Sequence, residues 1–282
     1  MRAESQHGAP TGDDVSPLRS REIAGMRVDA TSYDDSIDRV ISWAGRGESR
    51  SVAIATVNNV MEAHDDPTFA SVMAACDLVT PDGMPLVWAL RALGVSDATR
   101  VYGPELTPML LTRAARDGVP VGFYGGTDTV MTALLARVER ELPSLQVAYV
   151  FSPPFRPLTA EEDAAVVDAI AASGCRILFV GIGCPKQERW MVEHQPAVAA
   201  VMLGVGAAFD FYAGQKRQAP GWMQRNGLEW VFRLVTEPRR LWKRYLRHNP
   251  RFVALFAAQL VRARRERRRG AERGTDRKES RG

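Results

Sequence analysis

The side chains best placed to do chemistry cluster around the turn Pro81-Asp82-Gly83, which follows the short apolar run Leu78-Val79. A carboxylate just past the end of a strand sits where open α/β sheets keep their ligands. There Asp82 can take the proton of an attacking hydroxyl. Arg100 lies at the far end of the same compact unit. Its guanidinium can hold a diphosphate through paired, charge-assisted hydrogen bonds. Taken alone, the two are equally a turn acid and an arginine on the surface. Other polar positions also fall at strand ends: Thr56 and Asn58, Gly125-Gly126, Gln187-Glu188 and Asp210. Together these groups suit a sugar nucleotide, with polar donors for hydroxyls, an arginine for the diphosphate and a carboxylate for the acceptor.

Other chemistries lack their residues. His7, His64, His194 and His248 are scattered, with no HExxH or HxH spacing to hold a metal. The chain has no DxD pair to seat a divalent ion against a nucleotide diphosphate. It also lacks a GxSxG elbow and a Walker A loop. The expectation is an activity with no metal and no cofactor. Cys76, Cys175 and Cys184 lie in or beside apolar segments, as reduced core thiols do.

The elements that must position these groups alternate. Val52–Val57, Leu78-Val79, Val119–Tyr124, Gln146–Val150, Arg176–Val180 and Ala199–Val205 are short apolar runs of the buried parallel-strand type. Between them lie helical stretches: Val60–Ala75, a nearly all-apolar Met84–Leu93 expected to be buried, Thr107–Asp117, Thr129–Leu142 and Glu161–Ser173. Ser36 is the expected N-cap of a helix from Ile37 to Trp43, and Glu22–Ala30 supplies one or two N-terminal strands. Gly125-Gly126, leading into a helix, suits either a phosphate or a plain tight turn. The reading is an α/β, Rossmann-like, mostly parallel sheet with helices on both faces, followed by a basic helical C-terminal appendage. Residues 1–20 are expected to be a disordered leader, 21–214 the core, 215–261 the appendage and 262–282 a disordered arginine-rich tail.

The net charge of +4 conceals an asymmetry. Residues 1–215 carry 17 Lys+Arg against 27 Asp+Glu, whereas residues 216–282 carry 20 against 6. A basic quarter on an acidic body implies a polyanionic partner, phospholipid or nucleic acid. Arg233, Arg239, Arg240, Arg244 and Arg247 alternate with aromatics such as Trp230, Trp242 and Phe252. That composition suits a membrane interface, and equally a helix that packs its aromatics on the core. A nucleic-acid-binding protein would explain the arginines but not their amphipathic, aromatic setting. A nicotinamide-dependent oxidoreductase would need GxGxxG after its first strand, and Val52–Asn59 has none.

Five blocks carry a resemblance: TVNN at 56–59, PDGMPLVWA at 81–89, RVYGPEL at 100–106, GIGCPKQERW at 181–190 and GVGAAFDFYAG at 204–214. In this order they resemble the WecG/TagA/CpsF glycosyltransferase family over about residues 25–250. The resemblance implies an inverting, metal-independent transferase moving a sugar, often N-acetylmannosamine, from a UDP donor to a polyprenyl-diphosphate-linked acceptor. It puts the general base at Asp82, diphosphate handling at Arg100, and Thr56 and Asn58 near the sugar, and the glutamine of its G-x-G-x-P-x-Q-E block falls on Gln187. It further implies a basic appendage that docks on the inner face of the cell membrane, hence a cytoplasmic peripheral enzyme with an anionic membrane partner and no nucleic acid. A homo-oligomer is compatible with it. Glu105 stands where the family commonly has Asp, and Asn59 where Pro or Ala is frequent.

Overall fold

The computed structural model describes the backbone of residues 17–279 and the side chains of residues 17–265. The first sixteen positions of the expected leader thus lie outside the described residues. The fold begins with a hairpin of β1 (Arg19–Ile23) and β2 (Met26–Ala30). At its turn Ala24 has φ 49° and Gly25 φ 94°, the left-handed pair that a two-residue hairpin turn requires. The hairpin stands apart from the main sheet and buries Ile23, Met26 and Val28.

Helix α1 (Tyr33–Gly45) is capped by Ser32, whose hydroxyl accepts from the Asp35 amide at 3.1 Å. Ser36, the expected cap, is instead buried one turn inside, 3.0 Å from the Thr31 hydroxyl. Strand β3 (Arg50–Ala55) leads into α2 (Val57–Asp65), then α3 (Pro67–Ala75), β4 (Leu78–Pro81) and α4 (Met84–Ala92). The single helix expected over 60–75 is therefore two. Pro67 has no amide to continue the hydrogen-bond ladder, and the Asp66 carboxylate caps the new helix by accepting from the Thr68 amide at 2.8 Å. The remaining core elements are α5 (Gly103–Asp117), β5 (Val121–Gly125), α6 (Asp128–Glu141), β6 (Val147–Phe151), α7 (Ala160–Ser173), β7 (Ile177–Gly181), α8 (Lys186–His194), β8 (Val201–Gly204) and α9 (Ala208–Tyr212).

Six strands form one parallel sheet in the order β4-β3-β8-β7-β5-β6. Apart from the edge strand β6, which is only half-buried, these runs bury both faces, and the period of two sorts their residues. Val52, Ile54, Phe123, Ile177, Phe179 and Leu203 point to the layer of α1, α5, α6 and α9. Ala53 and Ala55 point to the opposite layer with α2, α3 and α4, while Leu178, Val180 and Met202 meet α7 and α8 there. This is the doubly wound α/β architecture that the alternation implied. The first strand, β3, ends up between β4 and β8, so chain segments more than a hundred residues apart meet at its carboxyl end.

Beyond the sheet come α10 (Gly221–Arg225), α11 (Glu229–Thr236) and α12 (Pro238–Glu279). The last helix continues past residue 262, where composition pointed to a disordered tail; Arg, Glu and Ala are good helix formers. Leu241 and Phe252 of α12 are buried, Phe252 against the core layer that holds α2 and α4. Arg251 and Arg247 reach the Asp65 carboxylate at the end of α2, at 2.5 and 3.4 Å. The appendage is thus folded back on the core, and Phe252 is a packing residue rather than one free to enter a lipid surface. Trp242, Leu246 and Val253 on its other sides remain exposed.

Candidate functional site

Asp82 follows β4 directly, because the strand ends at Pro81 and the Asp82 amide donates to Ala55 O at 2.9 Å. Its carboxylate faces the N-terminus of α5, where the Gly103 amide lies 3.4 Å from Oδ2, and helix N-termini favour negative charge. Arg100 lies across it, with Nη2 3.4 Å from Asp82 Oδ1 and Nε donating to the Asp82 carbonyl oxygen. The guanidinium stacks on the Tyr102 ring at 4.0 Å, which fixes its plane. Burial pushes the Asp82 carboxyl up to about 6; Arg100 opposes this, and the Glu229 charge adds to it. A buried acid held near neutrality is what a general base at pH 7 needs.

Glu229, the first residue of α11, also takes Arg100: Nη2 donates to its Oε2. Local sequence offered little signal for it beyond an acid standing in a basic, aromatic segment. Arg233 follows one turn later, with its guanidinium over the Phe211 ring, and Arg244 of α12 stacks on Tyr245. Both carry a buried Nε–H without a hydrogen-bond partner. Two such unsatisfied cationic donors facing one cavity are a standing demand for an anion.

Thr56 caps α2 in a capping box: its amide and hydroxyl both donate to Asn59 Oδ1 at 3.0 Å. Asn59 therefore shapes the loop. Asn58 donates through Nδ2 to Cys184 Sγ at 3.3 Å, leaving its buried Oδ1 without a partner at the cavity wall. Cys184 itself stays a neutral thiol, its pKa raised by burial. Cys76 and Cys175 are buried free thiols, as read from their settings.

These residues meet in a cavity of 620 Å³. Thr56, Asn58, Asp82 and Arg100 line it, joined by Glu229, Arg233, Arg244 and His248 from the appendage. His248 is buried with Nδ1 unpartnered, and burial holds its pKa below the ordinary value. Trp88 also lines the cavity and is 47% exposed, against the expectation that α4 would be buried throughout.

The other candidate positions are held elsewhere. Gln187 is a clamp: its Oε1 accepts from the amides of Gly183 and Gly206, both at 3.1 Å, and its Nε2 donates to Glu188 at 3.0 Å. A Cβ on Gly204 would come within 2.9 Å of Gln187 Nε2, so the glycine makes room for the clamp. Glu188 is fully buried, accepts from Asn59 Nδ2 at 3.0 Å, and has its pKa raised by burial. Gly125 has φ 129°, and a Cβ there would sit 2.5 Å from the Gly181 backbone. Gly126 donates its amide to Gly181 O at 3.2 Å, so this loop serves β5–β7 packing. Asp210 pairs with Lys216 at 3.4 Å. Glu105 accepts from the Tyr33 hydroxyl at 2.6 Å. Of the arginines named from sequence, Arg239 is exposed, Arg240 pairs with Glu237 at 2.5 Å and Arg247 with Asp65. Only Arg233 and Arg244 of that set reach the cavity.

The glycosyl transferase WecG/TagA/CpsF family model matches residues 21–266, which takes in every wall of the cavity. The chain belongs to the WecG/TagA/CpsF glycosyltransferase family. A relative in Bacillus spizizenii (strain ATCC 23059 / NRRL B-14472 / W23), the N-acetylglucosaminyldiphosphoundecaprenol N-acetyl-beta-D-mannosaminyltransferase, is 31% identical over 209 residues. The match covers 73% of this chain and 79% of the relative. In this WecG/TagA/CpsF glycosyltransferase the cavity thus holds two carboxylates, Asp82 and Glu229, that share Arg100, with Arg233 and Arg244 beside them and the unpartnered amide oxygen of Asn58. No described helix of this transferase is long and apolar enough to cross a membrane.

Proposed function

We propose that this glycosyltransferase moves a sugar, N-acetylmannosamine or a related hexose, from a UDP-sugar to a polyprenyl-diphosphate-linked acceptor for a cell-surface polymer. The observation that carries the reading is the Asp82 carboxyl in one cavity with Arg100, Arg233 and Arg244, its pKa pushed up to about 6 by burial against the opposing charges of Arg100 and Arg233. Asp82 takes the proton of the acceptor hydroxyl as its oxygen attacks the anomeric carbon from the face opposite the leaving group. The new glycosidic bond forms as the bond to the UDP β-phosphate oxygen breaks, inverting the anomeric centre. The two negative charges of the departing diphosphate are met by guanidinium groups, so these arginines supply electrostatic stabilisation without a resident metal. Asn58 Oδ1 accepts from a sugar hydroxyl.

The acceptor class is supported by the relative, whose name specifies an undecaprenyl-diphosphate-linked substrate. A lipid-linked acceptor brings the enzyme to the inner face of the membrane. On α12 the exposed Trp242 and Leu246, at i, i+4 spacing from each other and i, i+3 from exposed Arg239 and Lys243 respectively, form a face suited to anionic headgroups. The deciding experiment is a panel of UDP-sugars with a polyprenyl-diphosphate-linked N-acetylglucosamine acceptor, in buffer with excess EDTA. Transfer from one UDP-hexosamine with inversion, undiminished by the chelator, supports the proposal. Absence of transfer from every UDP-sugar, or a product of retained configuration, overturns it.

A further inference from the structure

The cavity does not stop at the arginines. From Asp82 it continues as a trough between α4 and α12, walled on one side by Met84, Trp88 and Ala92 and on the other by Phe252, Phe256 and Leu260. Each wall follows an i, i+4 row along its helix, about 12 Å long. Small residues, Ala89, Ala92 and Ala257, leave the space between them open. No charged side chain enters this stretch, whereas Arg100, Arg233 and Arg244 gather at its inner end with Asp82. Trp88 is anchored at the junction, since a Cβ on Gly227 would lie 2.5 Å from its ring.

A nucleotide sugar has nothing apolar to fill such a trough. An amphiphile with an anionic head and an aliphatic tail matches both ends. We propose that the α4–α12 trough seats the first isoprene units of the polyprenyl diphosphate acceptor, with its anionic head at the inner end of the trough. This rests on the acceptor class given under Proposed function. The apolar wall holds the chain by removing it from water, and the junction at Trp88 delivers the head group to Asp82. The enzyme accordingly measures chain length as well as head group.

Two experiments on the full chain test this. In the first, geranylgeranyl diphosphate carrying a terminal diazirine is photolysed with the protein and the labelled peptides are sequenced. Label on α4 and on Phe252–Leu260, abolished in Ala92→Trp and Ala257→Trp, supports the trough. Label elsewhere, label that survives both variants, or label displaced equally by dioleoylphosphatidylglycerol overturns it. In the second, kcat/KM is compared for acceptors with a long polyprenyl chain and with a short alkyl chain. The long-to-short ratio should fall at least tenfold in the tryptophan variants and about threefold in Ala92→Leu, each having the thermal midpoint of the wild type. An unchanged ratio overturns the proposal. Labelling needs no turnover, so a trough that labels in a protein inactive on every acceptor would sink the transfer reading alone. Active protein that labels elsewhere would sink the trough alone.

Discussion

Glu229 accepts a hydrogen bond from Arg100, the same guanidinium that spans the Asp82 carboxylate, although the two partners are 129 residues apart. The appendage therefore reaches into the cavity that Asp82 lines and places a second acid on Arg100. An arginine shared between two carboxylates is primed to exchange one of them for a phosphate.

Asp82→Asn should lower kcat by a factor of about 10²–10⁴, the usual contribution of a positioned base. The amide keeps the shape of the side chain, and the fold should persist with cooperative unfolding. Turnover near the wild-type value would remove Asp82 from the chemistry.

The pH profile follows from the raised Asp82 pKa. The base is active when ionised, so kcat/KM should rise with pH through about 6 rather than near 3.8, the ordinary value. Removing the Glu229 charge lowers the Asp82 pKa, so Glu229→Gln should shift this acid limb downward. The same shift has a stability sign. A carboxyl with its folded pKa above its unfolded one opposes folding once ionised. That penalty is absent below about pH 4, sets in as pH rises towards 6, and remains above it. Denaturation midpoints taken from pH 4 to 8 should show Asp82→Asn gaining on the wild type across this window. An acid limb unmoved by Glu229→Gln would refute the electrostatic link.

Arg233→Ala and Arg244→Ala should each weaken diphosphate binding, read as a rise in KM or inhibition constant for UDP of about tenfold, because each removes a charge-assisted contact. Lysine at either position should restore only part of it, since an ammonium lacks the guanidinium fork. Unchanged UDP inhibition in both alanine variants would reduce these arginines to packing.

Gln187→Ala should act on stability first. It orphans the Gly183 and Gly206 amides and takes a donor from buried Glu188. Leaving such groups unsatisfied costs about 1–3 kcal/mol each, so urea denaturation should show a loss of about 2–6 kcal/mol from the two amides alone. A raised KM with undiminished stability would instead make Gln187 a direct substrate contact.

Docking on membrane should depend on exposed charge. Arg239→Glu with Lys243→Glu should cut sedimentation with phosphatidylglycerol vesicles severalfold, as each basic group near an anionic leaflet contributes about 1 kcal/mol. The wild-type binding should also weaken as salt shortens the Debye length. Equal sedimentation of the double variant would show that these charges do not dock the enzyme.

Reading along the chain was enough for whatever local rules decide. Apolar runs of strand length bounded by glycine, with helices between them, specify a parallel doubly wound sheet, and its carboxyl ends specify the rim. Thr56, Asn58 and Asp82 could be found this way because each lies beside a strand end, Arg100 because it closes the same compact unit as Asp82, and the structure does bring them together. Gly125, Gly126 and Gln187 obeyed the same rule, yet their hydrogen-bonding capacity is spent on Gly181, Gly183 and Gly206. Which strand-end groups remain free depends on neighbours that the chain brings from elsewhere. The same holds for the appendage, whose charge and aromatic content are plain in the sequence while its facing is not. Helical periodicity alone does not say whether Phe252 meets lipid or core, or that Arg233 and Arg244 turn inward while Arg239 stays in water. The packing of α12 on α2 decides that, and with it the cavity, the Glu229–Arg100 contact and the near-neutral pKa of Asp82. All three come from contacts between residues far apart in sequence.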